Sequence, residues 1–335
     1  MESNTYAAAG VDVAAGERFV DRLKVSSKRQ GHEQLWRGCG SYASLVPISQ
    51  DLAMALTTDG VGTKLLTAVE TGKLDTVGID LVAMCANDLI CVGATPSSFL
   101  DYYATPKLNE GQADAIIKGI IEGCDRAGIL LVGGETAELP GLYAENHFDL
   151  AGFAAGTVSK QTLITGEQIK SGDTVIGVAS SGIHSNGFSL ARKLIKKDHP
   201  LYEQLLIPTA IYVRPAVELL QRFPQQVKGL AHITGGGWRN MFRMKDGIGF
   251  VFNKIPPLPP VLQAISQSVD PEEMYKTFNM GLGLAIVISG DETEMIQIFR
   301  SHGFASAAIG KVTDDAGTMT IHAEPQFGRK LNLVE

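Results

Sequence analysis

The sequence lacks the features that would place a chain on nucleic acid, in a bilayer or outside the cell. It has no long Lys/Arg cluster, and 36 acidic against 29 basic side chains give a formal charge of −7. That balance argues against a polyanionic partner and leaves small molecules as the expected ligands. No run approaches the roughly 18 apolar residues needed to span a membrane, and the opening MESNTYAAAG has neither a basic start nor an apolar core, so no export signal is expected. Only Cys39, Cys85, Cys91 and Cys124 are present, with no Cys-x-x-Cys pair, which points to a reducing cytoplasm. No repeat of fixed period occurs. The P-loop spacing Gly-x-x-x-x-Gly-Lys-Ser/Thr and the nucleophile elbow Gly-x-Ser-x-Gly are both missing, which argues against a P-loop nucleotidase and a serine hydrolase.

What remains is a 335-residue chain, 44% apolar, long enough for two domains with full cores. Strands and helices mix in both halves, so the expected class is α/β. A polar stretch over residues 165–172 places the boundary, giving an N-terminal domain of residues 1–165 and a C-terminal domain of 166–335. The 37 glycines cluster in short loops after apolar runs, a pattern typical of ligand-binding backbone.

The chain is organised around residues 78–103, GIDLVAMCANDLICVGATPSSFLDYY. At about 100° per residue, Leu81, Met84, Cys85, Asp88, Leu89 and Val92 share one helix face. Asp88 therefore points with apolar residues, which is costly unless it meets a cation or several donors. A hard metal ion and a buried salt bridge or cap are the two readings. Upstream, a surface helix is expected over residues 13–29. Residues 52–57 read as a strand running into Asp59-Gly60-Val61-Gly62-Thr63-Lys64, followed by a helix that Gly72 can cap. Such a loop can turn backbone N–H groups and Lys64 onto phosphate while Asp59 holds a metal; the alternative is a tight turn with a surface lysine.

Residues 98–104 read as a strand carrying Asp101, 110–127 as an amphipathic helix, and 129–132 as a strand entering a second acidic glycine loop at Gly133-Gly134-Glu135. Asp59, Asp88 and Glu135 could thus converge on magnesium, which takes one or two carboxylates when it is bound with phosphates. In the second half, a strand over 173–179 leads to SSGIHSNG at residues 180–187 and a helix over 188–197. His184 and Asn186 there could orient a polar ligand, or His184 could be a local cap. Residues 232–238, HITGGGW, form a third glycine loop, suited to a phosphate monoester. Residues 255–260, IPPLPP, read as a rigid connector.

Taken together, TDGVGTKL (58–65), GIDLVAMCANDL (78–89), FLDYYAT (99–105), GGETAELPG (133–141), AGF (151–153), SSGIHSNGFSL (180–190), HITGGG (232–237) and FNMGLG (278–283) resemble the phosphoribosylformylglycinamidine cyclo-ligases, also called aminoimidazole ribonucleotide synthetases. The resemblance spans nearly the whole chain. It implies an ATP- and Mg²⁺-dependent closure of formylglycinamidine ribonucleotide to aminoimidazole ribonucleotide, with ATP phosphorylating the formyl oxygen. It implies that Asp59, Asp88 and Glu135 serve the magnesium and phosphate side, with Lys64 beside the phosphates and Gly60, Gly62, Thr63, Asn87, Gly133 and Gly134 around the nucleotide. Asp101, His184, Asn186, His232, Thr234, Gly235 and Gly236 fall to the substrate side, where a histidine could move a proton. The implied fold is two mixed-sheet domains. The first pairs with its copy in a homodimer whose sheets close into a β-barrel, and the second packs its sheet with helices. The active site is expected in the cleft between domains, near the dimer contact. The chain departs from the family at Gly38-Cys39-Gly40-Ser41-Tyr42, where a more uniformly glycine-rich cover over ATP is expected. Rival readings are a thiamine monophosphate kinase or selenophosphate synthetase relative, and a catalytically silent nucleotide-binding subunit.

Overall fold

The computed structural model describes residues 5–26 and 32–335. Two sheets organise the chain. The first has five strands, β1 (Ser44–Pro47), β2 (Leu52–Gly60), β3 (Thr95–Thr105), β4 (Leu130–Glu138) and β5 (Asp149–Ser159), in the order β1-β2-β5-β3-β4. Only β3 and β4 run parallel. The second has seven: β6 (Thr174–Ala179), β7 (Val227–His232), β8 (Gly249–Phe252), β9 (Leu282–Ile288), β10 (Ser306–Thr313), β11 (Thr318–His322) and β12 (Lys330–Val334), ordered β12-β11-β8-β10-β6-β9-β7. The first six α-helices along the chain are α1 (Val13–Ser26), α2 (Lys64–Thr71), α3 (Val77–Cys91), α4 (Glu110–Ala127), α5 (Phe188–Leu194) and α6 (Val213–Arg222). The helix expected over 13–29 is thus seen to Ser26, and its last three residues lie outside the described residues.

Helix α3 is the hub. It packs on β2, β3 and β5 of the first sheet, on α4, and on β7 and α6 of the second half. Wrapped on all sides, it buries every residue except Asp88, the condition of a helix that is apolar all round. The expected single apolar stripe is therefore a full sleeve, and Asp88 is its one opening. Helix α4 crosses α3 closely because glycines meet there: a Cβ on Gly78 would lie 2.3 Å from the Ile120 nitrogen, and one on Gly119 would lie 2.2 Å from the Asp75 oxygen. Local signals set the ends of α4. The Asn109 side chain accepts from the Gln112 N–H, and Gly128 closes the helix in the left-handed conformation at φ 72°.

The two faces of the first sheet differ. One is covered by α3 and α4. The other leaves Leu56, Leu100, Leu130 and Phe153 exposed, Leu130 by 70%, and β4 forms an uncovered edge. The acidic glycine loop expected after residue 132 is strand instead: β4 runs unbroken through Gly133, Gly134 and Glu135 to Glu138, with a register shift opposite Phe99/Leu100. The ladder to β3 holds those glycines extended, which their loop-like composition conceals.

Candidate functional site

Three elements end at one place. Strand β2 carries Asp59 at its penultimate position, the last turn of α3 carries Asp88, and β7 ends on His232. His232 is fully buried, and its Nδ1 lies 3.0 Å from Asp88 Oδ1. The ring's other nitrogen meets Asn87. Tyr212 N–H donates to Asn87 Oδ1 at 2.9 Å and Asn87 Nδ2 donates to the Ala210 oxygen at 2.8 Å, so the amide cannot be reversed. Its N–H therefore faces His232 Nε2 at 3.3 Å. That nitrogen must accept, which leaves the ring proton on Nδ1 for donation to Asp88. The expected nucleotide role of Asn87 is corrected by this bonding: its amide is buried and fully used in seating His232 and the 210–212 segment.

Asp59 is partly buried beside Asp88. Burial first, and the Asp88 charge second, push its carboxyl up to about 6. The Gly60 N–H, expected to be free for phosphate, is occupied by Asp59 Oδ1 at 2.7 Å. Two carboxylates are a sufficient protein contribution for magnesium bound with phosphates. Among the described residues, no group of three or more His, Cys, Asp or Glu is spaced to hold a metal. Glu135 does not join the pair. Asp59, Gly152, Asp101 and Gly134 form one register row across β2, β5, β3 and β4, roughly 14 Å wide at ~4.8 Å per strand. Glu135 is the next residue on the edge strand and lies on the opposite, exposed face. The expected three-carboxylate cluster therefore does not form within one chain. Asp101 sits on β3, one strand in from that edge, where a Cβ on Gly134 would be 2.2 Å from its Oδ1. Gly133 beside it is exposed.

Lys64 is likewise not where phosphate could reach it. Its ammonium is fully buried, bonded to Asp80 Oδ1 at 2.9 Å, the His184 carbonyl at 3.0 Å and the Ile207 carbonyl at 2.8 Å. All three ammonium hydrogens are engaged. Asp80 completes this knot, accepting also from Thr209 N–H (2.7 Å), Thr209 Oγ1 (2.6 Å) and Ser185 Oγ (3.0 Å). Asp80 is as out of place in an apolar run as Asp88, and that was the available signal for it.

The knot shapes the 180–187 loop. His184 adopts φ 62°, a left-handed conformation rare for a side-chain-bearing residue, with its carbonyl turned to Lys64. Its Nε2 accepts from Ser181 N–H at 3.2 Å, while Nδ1 is buried without a partner. Burial above all holds it well below the usual histidine range, with the Lys64 ammonium acting in the same direction. Asn186 Oδ1 is also buried and unpaired, and its amide nitrogen lies beside Gly235, 3.3 Å from where a Cβ would be. The 180–187 and 232–237 loops are thus neighbours. Thr234 and Gly236 are half-buried and Gly235 exposed; Asn240 Nδ2 pins this turn by donating to the Gly235 and Gly237 carbonyls, both at 3.0 Å. Gly62 and Thr63 are exposed at the start of α2, where Thr63 Oγ1 lies 3.3 Å from Ser189 Oγ.

Sequence reasoning overlooked Arg243, whose guanidinium stacks 4.1 Å over the Tyr42 ring; nothing in the sequence links positions 201 residues apart. Tyr42, in the segment that departs from the family's glycine-rich cover, is buried and donates its hydroxyl to the Asn240 carbonyl at 3.1 Å. A cavity of about 730 Å³ lies elsewhere, lined by the 254–258 connector, His322 and small residues of β6 and β10. It contains none of these groups.

Comparison with known proteins places the chain in a family. Residues 40–158 match the family described as AIR synthase related protein, N-terminal domain, and residues 170–322 its C-terminal domain. A relative from Nitrosospira multiformis named phosphoribosylformylglycinamidine cyclo-ligase is 44% identical over 330 residues, covering 92% of this chain and 93% of its own. One of the same name from Clostridium perfringens is 45% identical over 306 residues, 87% and 91%. Among solved structures, one from the HypE–HypF complex aligns with TM-score 0.68 at 17% identity, over 94% of this chain and 98% of that one. T. maritima PurL complexed with ATP aligns with TM-score 0.62 at 16% identity, over 94% and 51%; at such identities the likeness is one of fold. With both halves matched in order and near-full-length identity above 40%, the chain belongs to the AIR synthase related protein family.

Proposed function

We propose that the chain is a phosphoribosylformylglycinamidine cyclo-ligase. It closes formylglycinamidine ribonucleotide to aminoimidazole ribonucleotide in purine biosynthesis, consuming ATP and releasing ADP and phosphate. The observation that carries this reading is the 44% identity to a relative of that name over 93% of the relative's length. An amide oxygen is a poor leaving group; phosphorylating the formyl oxygen makes it a good one, and the amidine-side nitrogen then displaces it as the ring forms. Asp59 and Asp88 are the residues to hold Mg²⁺, which when bound would neutralise charge on the transferring phosphoryl group. His232 steadies Asp88 by its Nδ1–H bond, and the unpaired His184 Nδ1 and Asn186 Oδ1 are the groups left to meet a polar substrate. The first sheet and its helices serve ATP, Mg²⁺ and dimerisation; the second half serves the substrate.

The exposed apolar face of the first sheet favours a homodimer in which two such sheets close into a barrel, bringing Glu135 to the contact between copies. No described helix is long and apolar enough to cross a membrane, and a cytoplasmic site fits the buried Cys85, Cys91 and Cys124 thiols, which form no disulfide among the described residues. The test is to incubate the purified chain with formylglycinamidine ribonucleotide, ATP and Mg²⁺. Imidazole product matched by ADP is expected; ADP with a phosphorylated thiamine or selenium product, or no ADP at all, would reject the assignment. Asp88→Asn should cut turnover by orders of magnitude with the circular dichroism spectrum unchanged, and near-normal turnover would remove Asp88 from the metal site.

A further inference from the structure

We infer that Arg243 is a phosphate-binding residue of this site, its guanidinium held over the Tyr42 ring so that it receives a phosphate oxyanion beside Asp59 and Asp88. The inference rests on the functional reading above and supplies what that reading lacks. A polyphosphate brought to two carboxylates needs fixed positive charge, and the lysine expected to provide it is sealed in the knot with Asp80. His232 cannot substitute, because Asn87 keeps its Nε2 as an acceptor.

Arg243 meets the requirement on four counts. It is exposed and makes no hydrogen bond or ion pair with the described residues, which leave all five of its N–H donors open. It is pre-organised: the ring beneath it is buried and anchored through the Asn240 carbonyl, and Thr57 of β2 donates to the Tyr42 carbonyl at 3.1 Å, two residues before Asp59. It lies near the pair. Arg243, Tyr42 and Cys91, which sits three residues beyond Asp88 at the end of α3, line one small cavity of about 30 Å³ that Asp59 and Asp88 themselves do not line, and Arg243 is among the charges that act on Asp59. Finally, it is the penultimate residue of the 237–244 helical segment, which follows directly on the glycine loop that leaves His232 at the end of β7, so one continuous stretch of chain places both the histidine and the arginine. Planar guanidinium on an aromatic face is a geometry that favours bidentate anion capture.

Two phosphates could fill the place: those of ATP and the 5′-phosphate of the ribonucleotide substrate. Arg243→Gln and Arg243→Lys, both surface changes, separate them. Steady-state rates with each substrate varied in turn, together with calorimetric titration of a non-hydrolysable ATP analogue with Mg²⁺, are the readouts. The expected result is a roughly tenfold to hundredfold rise in one KM for the Gln variant, the size of a lost charged hydrogen-bond pair, with partial recovery for Lys. If ATP is the ligand, its KM and the Kd of the analogue rise together; if the substrate phosphate is, only the KM of formylglycinamidine ribonucleotide rises. Both KM values and the analogue Kd within twofold of the parent would overturn the role of Arg243. Because the titration needs no turnover, a parent that binds the analogue without cyclising substrate would reject the functional reading separately.

Discussion

Lys64 and Asp59 show how burial changes the meaning of a charged residue. Removing the Lys64 ammonium would leave the Asp80 carboxylate buried without its counter-charge, so Lys64→Met should destabilise by about 3–5 kcal/mol. The double variant Lys64→Met/Asp80→Leu should recover part of that loss in urea unfolding, and equal loss in both would refute the pairing. For Asp59 the sign runs the other way. Its folded pKa of about 6 exceeds the ordinary 3.8, so between those values the folded state holds the proton more tightly, and stability falls as pH rises through the window. Asp59→Asn should therefore stabilise the chelator-treated protein at pH 8 by on the order of 2 kcal/mol, a gain that fades toward pH 4. A pH-independent effect would contradict it. Sequence made Asp88 legible as a carboxylate among apolar neighbours, but it could not separate Asp88, which keeps 15% of its side chain exposed, from Asp80, which is sealed. That difference depends on which loop of the distant second half covers each, and Ser185, Ile207 and Thr209 are far away in the chain.

Elements were more legible where their signals are local. The 110–127 helix carries its own cap and its own stop, and it begins and ends where the spacing predicts. Strand β4 was misread as strand plus loop because Gly133-Gly134 has turn composition, and only pairing with β3 shows why a side chain is excluded there: Asp101 lies over Gly134. Close crossing of α3 and α4 was invisible for the same reason, since glycine spacing alone does not say what approaches. Gly119→Ala should force the helices apart against the Asp75 carbonyl, costing about 1–3 kcal/mol and lowering the melting temperature. An unchanged melting temperature would mean that the contact yields without strain.

At the scale of the molecule, mixed sheets in both halves were readable from alternating strands and helices, while strands β1, β8 and β12 were not, being short or nearly continuous with turns. The apolar outer face of the first sheet predicts association. Phe153→Glu should shift sedimentation from dimer toward monomer, and a dimer unaffected by it would place the contact elsewhere. The two halves are joined through Lys64 by an asymmetric contract. Besides the two Asp80 oxygens, at 2.9 and 2.8 Å, its ammonium meets two peptide carbonyls, at positions 184 and 207, and a peptide carbonyl does not depend on which side chain its residue carries. The demand on side-chain identity for those two links thus falls on the first half alone, so Ile207→Val should be silent, and the second half of a divergent relative could be grafted onto this first half with that lysine's main-chain anchorage intact.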